Sequence, residues 1–191
     1  MLIPSHSFPK IKLLLITTLD EMLKDVTIDD ITTTSIVQKS GITRSTFYTH
    51  YKDKYALFED LVLYIYSEII NNLRFKAEFS SNQELLEQFK DNYVRTLHQL
   101  YDHRHIFAQI PARSRLTVIG SGIDFSKEHF LDQFKKMNFD SPLTTEYAVN
   151  FFLSGLFLTY ELWINNQFDL PIDELSDQLT QLTALQFNLC D

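Results

Sequence analysis

The fold is decided by the stretch Gly41-Ile42-Thr43-Arg44-Ser45-Thr46-Phe47-Tyr48-Thr49-His50-Tyr51-Lys52-Asp53-Lys54. A short segment with apolar Ile36 and Val37 precedes Gly41. A helix over this segment would end at Gly41, because glycine tolerates the left-handed conformation found at helix C-termini. Thr43 is placed to cap a second short helix, which runs from Arg44 to His50. Two short helices joined by a tight turn at a single glycine have the proportions of a helix-turn-helix.

The second of these helices is rich in side chains that donate hydrogen bonds. Its core-facing residues are few, and the remainder are Thr43, Arg44, Ser45, Thr46, Tyr48 and His50. Phosphate oxygens accept hydrogen bonds from hydroxyls and cations, and a helix N-terminus adds unpaired backbone N–H groups. Arg44 is the residue best shaped for a bidentate contact to guanine. Lys54, in the first turn of the next helix, is a second phosphate anchor, so the stretch predicts a DNA-binding helix.

Charge is distributed unevenly along the chain. Residues 1–54 hold seven Lys/Arg and six Asp/Glu, a net charge of +1, and residues 55–191 hold ten and nineteen, a net charge of −9. A local basic face on an acidic protein can still bind phosphate, because salt screens the repulsion beyond about 8 Å. A solvated helix face explains the same pattern and stays open as the alternative.

Composition predicts an all-α protein. Glycine and proline together number 9 of 191 residues, and no proline lies between Lys10 and Ile110. So few turn residues disfavour an all-β fold, and the glycine motifs of dinucleotide and P-loop sites are absent from the sequence. Apolar spacing predicts about nine helices, in a helix-turn-helix domain over residues 9–55 and a larger helical domain over residues 56–191. Between residues 103 and 122, Pro111, Gly120 and Gly122 predict one short helix and a loop.

Three further sequence features predict a cytoplasmic protein without a membrane span. The single cysteine, Cys190, cannot form an internal disulfide, the first residues lack the features of a signal peptide, and the longest apolar stretch, Phe151 to Ile164, is shorter than about 18 residues. No nucleophile–base pair or carboxylate dyad stands out, so we expect no enzyme activity and no cofactor. His98, His103 and His105 are better explained as structural or surface residues than as a metal site.

From Pro9 to Leu61 the chain resembles the DNA-binding domain of TetR-family transcriptional regulators. The matching residues are Ile31-Thr32, Ile36-Val37, Gly41-Ile42, Thr46 to Tyr51 and Lys52 to Leu57. Val37 stands where a small alanine is commoner in the family, and Ser40 where alanine or leucine is commoner, which affects packing more than function.

The resemblance implies a role for each matching polar residue. Positions matching Thr33, Thr46, Tyr48, His50 and Lys54 contact the DNA backbone, and those matching Thr34, Thr43, Arg44 and Ser45 face base edges. It also implies a homodimer on a near-palindromic double-stranded operator and a repressor released by an effector of unknown identity, which is a small molecule or a protein. Two alternatives remain, an activator that binds a partner protein and an interaction module whose DNA-binding domain is vestigial.

The C-terminal part resembles a subgroup of the family more loosely, through Gly155, Trp163 and a last helix with regularly spaced leucines. In that family the last two long helices of each subunit form a four-helix dimer interface. The helix near residues 145–166 is apolar on more than one side and must be buried on more than one side. The expected interface residues are Phe152, Leu156, Tyr160, Trp163, Leu175, Leu179 and Leu182. A central helix of the monomer is the alternative.

Aromatic residues in the same domain are candidates for an apolar ligand pocket between helices. The candidate lining residues are Tyr93, Leu97, Tyr101, Phe107, Phe130 and Phe134. Aromatic side chains at helical spacing also form ordinary cores, so this alternative stays open.

Overall fold

The computed structural model describes residues 8–73, 75–76, 78–110, 112–137 and 143–189; Pro111, Pro142 and Cys190 lie outside these ranges. Over this part of the chain the protein consists of α-helices without strands, which confirms the predicted all-α class. The helices are α1 Lys10–Met22, α2 Thr33–Ser40, α3 Arg44–His50, α4 Lys54–Asn71, α5 Asn82–Asp102, α6 Arg104–Phe107, α7 Ala112–Met137, α8 Thr145–Asn165 and α9 Ile172–Gln186.

Local capping signals set the ends of the N-terminal helices. Thr32 and Ser35 form a capping box at the start of α2, and Gly41 ends it with φ of 71°. The Thr43 hydroxyl accepts a hydrogen bond from the Thr46 N–H at 3.1 Å, and the Asp53 carboxylate accepts one from the Ala56 N–H at 2.8 Å. These caps place α2 and α3 in the predicted helix-turn-helix.

Two long helix pairs, α7 with α8 and α5 with α9, form the larger body. Its centre is a cluster of aromatic rings in which Phe134 lies 5.0 Å from Phe187 and 5.3 Å from Phe152 between ring centroids. The helix α4 contacts both α1 and α7, so it joins the N-terminal helices to the body. Most of the buried apolar residues form one continuous cluster that extends from Leu15 to Leu189. The boundary between residues 55 and 56 therefore stays a prediction.

The loop predicted around Gly120 and Gly122 is wrong, because α7 is helical through both glycines. Each glycine costs about 1 kcal/mol relative to alanine inside a helix, which tertiary packing can offset. At Gly122 the reason is visible, since a Cβ atom there would clash with the Phe157 ring of α8. Gly122 thus allows a close approach of the two helices.

The helix α8 meets the length and composition of a membrane span, with an 18-residue window of mean hydropathy 1.2. This is weak evidence for a membrane, because a core helix of a globular protein meets the same criteria. One face of α8 is indeed buried against the body, through Ala148, Val149, Phe152, Leu153 and Trp163.

Candidate nucleic-acid interface

The short helix α3 is anchored through one face and open on the other. Phe47 is completely buried, and its ring contacts those of Tyr48 and Tyr51 at centroid distances of 5.5 and 6.0 Å. On the opposite side Thr43, Arg44 and Ser45 are exposed, and Tyr48 is 57% exposed. Thr46 and His50 are half-buried. The structure thus leaves the start of α3 open to a ligand while fixing its orientation.

Two residues predicted to face base edges are brought together across the turn. The Arg44 guanidinium donates a hydrogen bond to the Thr34 hydroxyl, although the residues are ten positions apart. Thr34 lies in the first turn of α2 and Arg44 in the first turn of α3. The contact orients Arg44, whose remaining N–H donors are still available to a ligand.

Hydroxyl groups line the start of the same helix. The Thr43 and Thr46 hydroxyls lie 2.9 Å apart and share a hydrogen bond. Thr33, another predicted backbone contact, is half-buried in the first turn of α2. Hydroxyls of this kind can exchange a weak mutual bond for a charged phosphate oxygen, since hydrogen bonds to charged groups are the stronger ones.

Lys54 makes intramolecular contacts that sequence reasoning missed. Its ammonium donates hydrogen bonds to the carbonyl oxygens of Asp29 and Ile31 at 2.9 and 2.7 Å and lies 5.1 Å from the centroid of the Tyr55 ring. Two of its three N–H donors are therefore used within the chain. Lys54 fixes the loop before α2 to the start of α4, and a phosphate contact by its third donor stays a prediction.

A second cluster that sequence reasoning missed fixes the C-terminal end of α3. The Asp60 carboxylate accepts hydrogen bonds from the Tyr51 hydroxyl at 2.9 Å and from the Lys12 ammonium at 2.8 Å. Burial first, and then the Asp60 carboxylate, raise the pKa of Tyr51 well above its usual range, so the phenol stays protonated and keeps donating. Lys12 and Asp60 are 48 residues apart, so no local sequence pattern indicates this pair.

The predicted pocket residues fall into three groups. Tyr93 and Phe130 line a cavity of about 50 Å³, and Phe107 lines a second cavity of about 30 Å³. Leu97 and Phe134 are buried in the core and line neither of these cavities. Tyr101 is 41% exposed and stacks beneath Arg104. The prediction is therefore wrong for three of the six as lining residues of these cavities, because helical spacing alone does not separate core from cavity.

Two residues that the prediction did not include, Phe157 and Tyr160, line both cavities. Burial raises the pKa of Tyr160 well above its usual range, so its hydroxyl is neutral. The Tyr93 hydroxyl shares a hydrogen bond with the Thr183 hydroxyl at 2.6 Å. The larger cavity is thus apolar with a few uncharged polar groups, whereas the smaller cavity is also lined by Arg115 and Glu161, whose Nη1 and Oε1 atoms lie 3.5 Å apart.

Most residues predicted for a dimer interface lie within the subunit. Phe152, Trp163, Leu175 and Leu179 are at most 4% exposed and belong to the core, while Leu156 and Tyr160 are half-buried cavity residues. These six present little surface to a second subunit. Leu182 differs, because it is 61% exposed.

The large apolar residues that α8 and α9 do expose lie on another stripe. They are 50 to 71% exposed and comprise Tyr147, Phe151, Leu158, Leu162, Leu182 and Leu185. The Gln186 side chain donates a hydrogen bond to the Ala148 carbonyl oxygen at 3.4 Å, so the end of α9 lies beside the start of α8. The apolar sequence of α8 carries two stripes, and sequence reasoning chose the one that faces the core.

No group of three His, Cys, Asp or Glu side chains in the described ranges is arranged to hold a metal ion. His105 Nε2 lies 3.5 Å from Asp20 Oδ1, and the His103 ring centroid is 6.4 Å from that of His105. Burial lowers the pKa of His103, and the nearby Asp20 carboxylate acts in the opposite direction. The structure thus places these histidines between α1 and the end of α5.

The C-terminal half of the chain matches a known protein family. Residues 87–184 match the family model of the TetR transcriptional regulator C-terminal region. No curated protein sequence matches the chain. The family match covers about half of the chain and most of the body described above.

Solved structures share the fold. A TetR-family transcriptional regulator from Streptomyces coelicolor superimposes with a TM-score of 0.64 at 18% identity, over 92% of this chain and 81% of that one. The TetR-family repressor AlkX from Dietzia sp. strain DQ12-45-1b, implicated in biodegradation of n-alkanes, gives 0.54 at 12% identity, over 93% and 95%. NalD, the secondary repressor of the MexAB-OprM multidrug efflux pump in Pseudomonas aeruginosa, gives 0.53 at 16%, over 93% and 96%.

The solved structures support the fold alone. The family match covers residues 87–184, outside the DNA-binding segment from Pro9 to Leu61 on which the sequence resemblance rested. The helical body agrees with both comparisons, and the helix-turn-helix of α2 and α3 agrees with the solved structures. The chain belongs to the TetR family of transcriptional regulators.

Proposed function

We propose that the protein is a homodimeric, cytoplasmic repressor that binds a near-palindromic operator and leaves it when an effector occupies the helical body. Regulators of this family are typically DNA-binding repressors and generally not enzymes. The observation that carries the proposal is the start of α3, where exposed donors surround Arg44 above the buried anchor Phe47.

DNA recognition follows from the chemistry of that surface. Arg44 is oriented by Thr34 and suits a bidentate contact to guanine O6 and N7 in the major groove. We assign base-edge contacts to Thr34, Thr43, Arg44 and Ser45. Backbone contacts, which position the helix without reading sequence, are assigned to Thr33, Thr46, Tyr48, His50 and Lys54.

Dimer formation is supported by the exposed stripe on α8 and α9. Six large apolar side chains on two neighbouring helices form more than the scattered exposure that a monomer usually shows. A twofold axis would pair the same stripe on two subunits. We therefore place the interface at Tyr147, Phe151, Leu158, Leu162, Leu182 and Leu185, and of the residues expected from sequence only Leu182 remains in it.

Effector binding is supported by the two cavities on either side of Phe157 and Tyr160. Their volumes of about 30 and 50 Å³ are far below the roughly 300–1,000 Å³ of a ligand pocket. An effector therefore has to displace Phe157 or Tyr160 and join the cavities. The lining of the larger cavity is apolar apart from uncharged groups such as Asn92, Thr96 and Ser126. In the smaller cavity Arg115 and Glu161 neutralise each other as an ion pair at 3.5 Å, so we expect an uncharged, mainly apolar molecule.

Selection of genomic DNA fragments by the purified protein tests this function. We expect enrichment of fragments that share an inverted repeat, followed by a mobility shift of each fragment at low salt with two subunits bound. Failure to enrich any duplex would contradict DNA binding. Enrichment of a single, non-repeated site would contradict the dimeric mode and leave DNA binding intact.

A further inference from the structure

Gln109 links the DNA-binding head, here α1 to α3 with their connecting loops, to the segment around α6. We propose that Gln109 is the positioning residue through which movement of Phe157 reaches the loop between α1 and α2 of the head, beside the packing of α4 on α1. The inference deepens the proposed function, because it names the contact by which cavity occupancy would change DNA affinity.

The link is a directional bond between distant parts of the chain. The Ile28 N–H of the head donates to Gln109 Oε1 at 2.6 Å across 81 positions of sequence. The other end of the same amide is also held, since Gln109 Nε2 donates to the His105 carbonyl oxygen at 2.7 Å. Ile28 itself is only 4% exposed, so its N–H group has little access to water when the bond breaks.

The same segment borders the smaller cavity on its other side. Phe107 and Ile110, which flank Gln109, both line that cavity. The Phe107 ring lies 5.7 Å from Tyr66, and the Tyr66 ring lies 5.4 Å from Phe157, between centroids. A continuous series of ring contacts therefore runs from the wall between the cavities to the residues beside Gln109.

Gly122 limits where Phe157 can move. The ring lies so close to the α7 backbone that a single added carbon at Gly122 would clash with it. Movement of the Phe157 ring toward α7 is therefore blocked, and the ring can move only toward Tyr66 or into the two cavities. Because protein interiors are close-packed, a displaced ring is transmitted to its neighbours instead of being absorbed.

Gly122→Ala provides a displacement of Phe157 that needs no identified effector. Gly120→Ala is the matched control, because a Cβ there meets nothing within 4 Å. The readout is hydrogen exchange of the Ile28 amide, measured by NMR in the full-length protein without DNA. We expect faster exchange in Gly122→Ala and unchanged exchange in Gly120→Ala. If Gly122→Ala does not fold, Phe157→Trp supplies the displacement.

Variants of Gln109 test the bond itself. Gln109→Ala removes the acceptor, and we expect Ile28 to exchange about fivefold faster, the value of one ordinary hydrogen bond. Gln99→Ala is the control, since Gln99 Oε1 has no hydrogen-bond partner among the residues that the structure describes. Gln109→Glu keeps an acceptor for the Ile28 N–H but loses the Nε2 donor to the His105 carbonyl oxygen, so we expect its exchange to lie between those of the wild type and Gln109→Ala. Equal exchange in the wild type and Gln109→Ala would overturn the proposal.

DNA affinity then tests the coupling. On a fragment selected as above, Gly122→Ala should change Kd at least about fivefold in the wild-type background but less than about twofold in Gln109→Ala, the scatter of independent sites. Equal changes in both backgrounds would overturn the role of Gln109. If the wild type binds no duplex, the proposed function fails, and the exchange experiment still decides whether Phe157 and Ile28 are coupled.

Discussion

Replacing Leu162 with alanine is expected to weaken self-association of the protein. Leu162 is 58% exposed in the single subunit and lies on the apolar stripe of α8. Leu14→Ala is the matched control, because Leu14 is a leucine that is 39% exposed on α1, in the head. Both changes remove the same atoms, so they differ in whether a second subunit covers the site.

The size of the effect follows from the exposed fraction. Full burial of a leucine side chain stabilises by about 1.5–3 kcal/mol, so covering a little over half of Leu162 is worth about 1 kcal/mol. A twofold axis buries the residue once in each subunit. The loss is therefore about 2 kcal/mol per dimer, which corresponds to about a thirtyfold higher dimer dissociation constant.

Sedimentation equilibrium over a range of concentrations measures this constant directly. We expect Leu162→Ala to dissociate at concentrations where the wild type and Leu14→Ala remain dimeric, with an unchanged circular dichroism spectrum. A wild type that is monomeric throughout, or a Leu162→Ala variant indistinguishable from Leu14→Ala, would refute the reasoning and remove the stripe from the interface.

Three further predictions concern the DNA-binding region and the loss of stability at low pH. Gly41→Ala should lower the free energy of unfolding by about 1–2 kcal/mol, because its φ of 71° is left-handed; an unchanged Tm would show that the turn relaxes. Lys54→Ala should weaken binding to all duplexes alike and reduce the salt slope by about one; an unchanged slope would restrict Lys54 to its bonds with Asp29 and Ile31. Burial lowers the pKa of His103 in the folded state, so its contribution to the free energy of unfolding is present above about pH 6.5 and is lost as the pH falls. On acidification the Tm of His103→Gln should therefore fall less than the Tm of the wild type. An equal fall in the two proteins would contradict this.

Local sequence signals predicted the head well. Gly41 and Thr43 act within three or four residues of where they stand, so the end of α2 and the start of α3 could be read without knowing the rest of the fold. The contacts of Lys54 with Asp29 and Ile31, and of Asp60 with Lys12, join parts of the chain that are 23 to 48 residues apart, and no local pattern indicates them. The helical class and the family resemblance were predicted, whereas these positioning contacts required the structure.

The body shows where sequence patterns are ambiguous. A helix such as α8 carries two apolar stripes, and periodicity does not say which one faces the core, so Phe152 and Trp163 were placed at an interface although they are buried. Glycine normally favours a break in a helix, but Gly122 lies inside α7 because the Phe157 ring approaches it too closely for a side chain. Both errors arise because the deciding contact comes from another helix.

Base preference measured for the wild type and for Arg44→Ala tests the central claim most directly. The wild type is expected to prefer one base pair in each half-site at the position that Arg44 contacts. Arg44→Ala should lose about 1–3 kcal/mol of affinity and become tolerant at that pair in both halves. Uniformly weaker binding with unchanged base preference would contradict the claim that the start of α3 reads the operator.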